Sequence, residues 1–79
     1  MVNDDLVIIQ YNKLYDRITK KHKCPLCNNN VRIHGMHARC PTHDFVMGDM
    51  IIERAGRYVS MILWYLAKNI IEGKIDGKT

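Results

Sequence analysis

The sequence predicts an α+β fold in one domain, residues 1–79, with a small β module between an N-terminal helix and a long C-terminal helix. Three observations predict it. Val7, Tyr11, Leu14, Tyr15 and Ile18 recur at helical spacing near the start. A turn-rich middle holds all three cysteines among short β-type runs. A broad apolar stripe with helical period fills the last third.

The first helix is expected over residues 4–21. Asn3 or Asp4 can cap its start, where Asp4 and Asp5 suit the positive end of the helix dipole, and Lys20, Lys21 and His22 suit the other end. Leu6-Val7-Ile8-Ile9 would also serve as a strand, so the middle of the helix is better specified than its beginning. In the β module, residues 23–47, Asn28-Asn29-Asn30 is a turn signal. Val31-Arg32-Ile33 and His37-Ala38-Arg39 read as two strands joined around His34-Gly35-Met36. Asp44-Phe45-Val46-Met47 can add a third strand, ending at Gly48.

The last helix is expected over residues 49–72, with Asp49 as N-cap and Gly73 as the stop. Ile51, Ile52, Ala55, Tyr58, Val59, Ile62, Leu63, Leu66 and Ile70 form one broad face. Glu53, Arg57, Ser60 and Lys68 mark the opposite one, with Trp64 and Ile71 on that polar side and Met61 at its edge. At 1.5 Å per residue such a helix is roughly 35 Å long. Gly56 in its interior costs about 1 kcal/mol relative to alanine. Residues 74–79 read as a frayed tail.

The cysteines carry the sharpest signal. Cys24-Pro25-Leu26-Cys27 is followed, after twelve intervening residues, by Cys40-Pro41-Thr42-His43. Each turn presents two ligand atoms to one side of an ion, and a structural zinc site takes four such thiolates and imidazoles in a tetrahedron. Cys24, Cys27, Cys40 and His43 are therefore the expected ligands of one structural Zn2+. Proline follows the first cysteine of each turn and sets φ there. Asn28 and Asp44 follow the turns and tolerate the left-handed conformation that a knuckle needs. His34 and His37 are the second-choice ligands; His22 suits a helix end or the surface. An iron–sulfur centre is disfavoured by the histidine, and no base or open position suggests a catalytic ion.

Residues 23–47 resemble a zinc ribbon, in which two such knuckles stand at the ends of a β-hairpin. His43 in place of a fourth cysteine and the missing knuckle glycines depart from the usual pattern. The resemblance implies a metal-stabilised fold that binds nucleic acid or protein, and no single function.

The charge is segregated. The formal net charge is +4, but residues 13–39 carry +6, residues 1–12 carry −2, and residues 40–79 are balanced. Lys20, Lys21 and Lys23 lead into the first knuckle, and Arg32 and Arg39 stand in the hairpin, where pairing would put both on one face. Such a patch suits phosphates, mostly without reading sequence. The expected function is that of a small zinc-binding regulator of nucleic acid. The alternative is an adaptor or inhibitor that docks on a larger transcription or replication machine through the long helix. Tyr58, Met61, Trp64, Tyr65 and Ile71 are its candidate interface, with a homodimer through that helix as first choice. No paired-carboxylate site, phosphate loop or activated nucleophile points to an enzyme. No apolar run is long enough for a bilayer. Met1-Val2-Asn3-Asp4-Asp5 is acidic where a secretion signal would be basic, and cysteines at metal spacing suit a reducing compartment. The chain is thus expected inside the cell, cytoplasmic or nucleoid-associated.

Overall fold

The structure, a computed structural model, describes residues 3–48 and 51–74. It has an α1 helix (Asp4–Thr19), a three-stranded antiparallel sheet of β1 (Arg32–His34), β2 (His37–Arg39) and β3 (Asp44–Val46), a hairpin of β4 (Ile51–Arg54) and β5 (Arg57–Ser60), and an α2 helix (Met61–Ile71). The molecule measures 33 × 24 × 17 Å.

α1 forms as its pattern requires. The Asn3 side chain accepts from the Asp5 N–H at 2.8 Å, and the Lys20 N–H closes the last turn on the Asp16 carbonyl. Its apolar face, Val7, Tyr11, Leu14 and Ile18, is buried, and Leu6 to Ile9 is helical, not extended. The third strand is present: Ala38 of β2 faces Ile33 on one side and Phe45 on the other.

The C-terminal third differs from expectation. Residues 51–60 are not helix but a tight antiparallel hairpin, with Ile52 opposite Val59 and Arg54 opposite Arg57. The two residues between, Ala55 (φ 52°) and Gly56 (φ 76°), are both left-handed. A two-residue loop with both φ values positive is a type I′ turn, whose twist matches that of paired strands. Gly56 is therefore a turn residue and no helix defect. The helix begins at Met61 behind Ser60, which is extended (ψ 126°). The expected N-cap, Asp49, and its neighbour Met50 lie outside the described residues. α2 has 11 residues, about 16 Å of helix. The length that argued for an unpartnered stretch is absent. Gly73 (φ 76°) ends the helix as expected: its N–H bonds the Ile70 carbonyl, and the Lys74 N–H bonds that of Asn69, a Schellman closure.

The core lies between the helices. Val7, Tyr11, Leu14 and Ile18 of α1 meet Leu63, Trp64, Leu66 and Ala67 of α2, and Val59, Phe45, Ala38, Val31 and Cys24 close it from the strand side. Trp64, expected on the polar side, is 2% exposed, its ring 6.4 Å from that of Tyr11. With β4 and β5 removed from the helix, α2 is apolar on most of its faces, and α1 covers the side that carries Trp64. Where a side chain would cap α2, the Tyr11 hydroxyl instead accepts the buried Ser60 N–H at 3.0 Å.

Candidate metal centre

Two sharp turns bring the ligands together. In the first, the Asn28 N–H bonds the Cys24 carbonyl, and Asn28 takes the left-handed conformation expected of it (φ 62°). Asp44, expected to do the same after the second turn, instead begins β3 opposite Arg39. The second turn closes through the Cys40 N–H on the His43 carbonyl at 3.0 Å, so no left-handed residue is required there. His22 (φ 53°) supplies another left-handed position, where the chain leaves α1 for the first turn.

The ligand atoms of Cys24, Cys27, Cys40 and His43 all lie within 4.8 Å of one another. Cys27 Sγ is 3.5 Å from Cys40 Sγ. His43 Nδ1 is 3.5 Å from Cys24 Sγ and 3.2 Å from Cys40 Sγ. A tetrahedral ion with metal–sulfur bonds of about 2.3 Å and metal–nitrogen bonds of about 2.0 Å needs edges of about 3.7 and 3.5 Å. The four residues can hold one metal ion after small adjustments, and no disulfide competes for the thiols. His34 and His37 are outside the cluster: His37 Nδ1 lies 3.1 Å from Asp44 Oδ1, and His34 lines a groove beside Cys40.

Donors around the sulfurs favour the thiolate forms, and burial opposes them. The Leu26 N–H points at Cys24 Sγ (3.4 Å), the His43 N–H at Cys40 Sγ (3.2 Å), and the Asn29 side-chain amide at Cys27 Sγ (3.3 Å). Their acidities differ accordingly. Burial pushes the Cys24 thiol up to about 11. A hydrogen bond from the Asn29 backbone, above all, lowers Cys27. At Cys40, burial works upward, but hydrogen bonds from Thr42, His43 and Cys27 outweigh it and bring the thiol to about 6. His43 is raised, first by its hydrogen bond to Cys40. Metal ligation also needs a fixed ring, and His43 stacks on Phe45 with centroids 6.1 Å apart.

The cations expected at a second site fall on two elements. Arg32 and Arg39 are direct cross-strand partners, as the spacing suggested, and line a groove with Asn30, His34, Cys40 and Pro41. Lys20 and Lys21 lie at the end of α1, lining a recess with Lys13, Asp16 and Arg17. Lys23 lies between them, its Nζ 2.7 Å from Asn30 Oδ1. Sequence reasoning missed Arg17, whose guanidinium bonds Asn28 Oδ1 and ties α1 to the first turn. Its signal was only its place on the helical face that carries Lys13, Lys20 and Lys21.

Of the candidate interface, Tyr58 (75%) and Tyr65 (44%) are exposed, Ile71 is just exposed and Met61 half-buried, while Trp64 belongs to the core. Among the described residues no helix is long and apolar enough to cross a membrane. Compared with models of protein families, with curated proteins and with solved structures, the chain matches none.

Proposed function

We propose that the chain is a non-catalytic zinc protein of the cell interior that binds nucleic acid through the basic surface beside its metal centre. Three thiolates and an imidazole suit zinc, and four ligands leave a tetrahedral ion no open position for chemistry. The zinc-ribbon resemblance of residues 23–47 agrees with that ligand set.

One observation carries the nucleic-acid reading. Arg32 and Arg39 stand directly opposite each other on neighbouring strands, an arrangement that like charges make unfavourable. Asp44 offsets Arg39 at 3.4 Å and leaves Arg32 unbalanced. A phosphate in the groove between them would relieve the repulsion. Lys20, Lys21 and Lys23 extend the same charge toward α1. Fluorescence anisotropy with the zinc-loaded protein tests the reading. Binding at low salt that weakens steeply as salt rises is expected, and no binding at low salt would dismiss it.

A second reading, a protein adaptor or a homodimer using α2, is supported by an apolar groove between β3 and α2 lined by Phe45, Met61, Ile62, Tyr65 and Leu66. With Trp64 in the core, Tyr65→Ala is the variant that tests it. Loss of self-association or of partner capture with zinc retained supports docking here, and unchanged association removes it.

A further inference from the structure

Resting on that reading, we infer that the ligand is a double-stranded nucleic acid held by two rigidly joined arms, and that Lys13 belongs to the site while Lys20 and Arg39 contribute little. The seven cations of residues 13–39 sort into three groups once their partners are known. Lys20 lies 3.5 Å from Asp16, and Arg39 lies 3.4 Å from Asp44. Each already has a carboxylate partner before any ligand arrives. Arg17 keeps its charge, since Asn28 is neutral, but its half-buried guanidinium holds Asn28 Oδ1 at the joint between α1 and the first turn. Among the described residues, Lys13, Lys21, Lys23 and Arg32 have no carboxylate within ion-pair distance. Lys23 gives one of its three N–H donors to Asn30 and keeps two, so these four are the cations left for a phosphate to neutralise.

Their placement favours a stiff ligand. Lys13 sits on α1 and Lys21 just beyond its C-cap, and both line one recess. Arg32 sits on the hairpin, and Lys23 between the two. The helix and the first turn are joined by the Arg17–Asn28 bond, by the Lys23 N–H on the Arg17 carbonyl (2.9 Å), and by the Val31 N–H on the His22 carbonyl (2.9 Å). Cations on two elements locked together match a fixed array of phosphates, as in a duplex. Single-strand binders instead stack bases on aromatic rings. No Tyr, Phe or Trp lines either basic recess. Tyr15, the exposed aromatic of α1, lies about 200° around the helix from Lys13 and lines a different recess with Tyr58 and Ile51.

The test is a salt titration of the zinc-loaded full chain against a 20-bp DNA duplex, the matching RNA duplex and their separated strands. Four phosphate contacts give a slope of log K on log salt of about −4 for the preferred duplex. Lys13→Ala and Arg32→Ala should each reduce that slope by about 1, whereas Lys20→Ala and Arg39→Ala should change it less. Asp16→Asn, which frees Lys20, should tighten binding. All these side chains are exposed, and retained zinc in the mass spectrum with an unchanged circular dichroism spectrum confirms each variant's fold. Either duplex bound more tightly than its strands, with that ranking of variants, supports the inference. Equal or tighter single-strand binding, or Lys13→Ala indistinguishable from wild type, overturns it and leaves nucleic-acid binding standing. No binding of any strand or duplex dismisses both.

Discussion

The β1–β2 and β4–β5 hairpins look alike on paper. Each is antiparallel, each turns through a left-handed residue, and each sets two arginines across from one another. They are held by different means. The first is flanked by the turns that bring Cys24, Cys27, Cys40 and His43 together; its β1 is exposed throughout, and β2 buries only Ala38. The second has no ligands. Val59 packs into the core, Tyr11 receives the Ser60 N–H, and Arg57 lies over the Tyr11 ring at 5.6 Å. The arginine pairs differ in the same way. Arg57 has that ring, and Arg54 bonds the Glu53 carbonyl, whereas Arg32 has no ion-pair partner among the described residues. One hairpin is specified by chemistry that repeats in the sequence. The other is specified by the body it rests on, and its charges are already satisfied.

Metal removal should break this symmetry most. A structural ion of this ligand type contributes on the order of 10 kcal/mol to folding. Chelation, or Cys40→Ser, should therefore erase the amide dispersion of residues 23–47 by NMR, with the α1–α2 contact surviving longer. Binding should also release protons. Where residues 23–47 unfold without the ion, their thiols take the ordinary value of about 8.5 and are mostly protonated at neutral pH, so the ion displaces protons to solvent. Lowering the pH through about 6.5 protonates the histidine as well, so more protons are expelled and affinity falls more steeply there. Calorimetry in buffers of different ionisation enthalpy counts them. Proton release that shrinks on acidification would contradict these assignments.

A smaller effect sharpens the second half of the comparison. Tyr11→Phe leaves the buried Ser60 N–H without an acceptor and should cost about 1–3 kcal/mol in urea unfolding, with metal content unchanged. If stability is unaltered, Tyr11 is not the pin of the second hairpin.

The smallest effect has a diagnostic sign. Gly56→Ala should destabilise by about 1 kcal/mol, because Ala is strained at positive φ. Were residues 49–72 one helix, the same change would stabilise by about as much. A thermal melt of the single variant distinguishes the two.

The misreading of residues 51–60 has a physical origin. Ile51, Ile52, Ala55, Tyr58, Val59 and Ile62 fall at helical intervals, yet the same letters hold Ile52 opposite Val59 across a two-residue turn. Gly56 was the local hint, but Ala-Gly is a weaker turn signal than Asn-Gly. The metal ligands were legible for the opposite reason. Coordination demands particular atoms at short spacing, and few alternative structures satisfy Cys-Pro-x-Cys followed by Cys-Pro-x-His. Asn28 was readable as a left-handed residue, whereas Asp44 was readable two ways, as a left-handed knuckle residue and as the start of a third strand, and its pairing with Arg39 decides for the strand.

The amino-acid order by itself determined the α1 face, the Cys3His cluster, the stop at Gly73 and the segregation of charge, because each is a pattern within one continuous stretch of chain. Only the tertiary structure decided that Trp64 is core, that residues 51–60 fold back on themselves, and which cations keep their charge. Those outcomes follow from contacts with distant partners, Tyr11 above all, whose ring and hydroxyl serve a helix start 49 residues away.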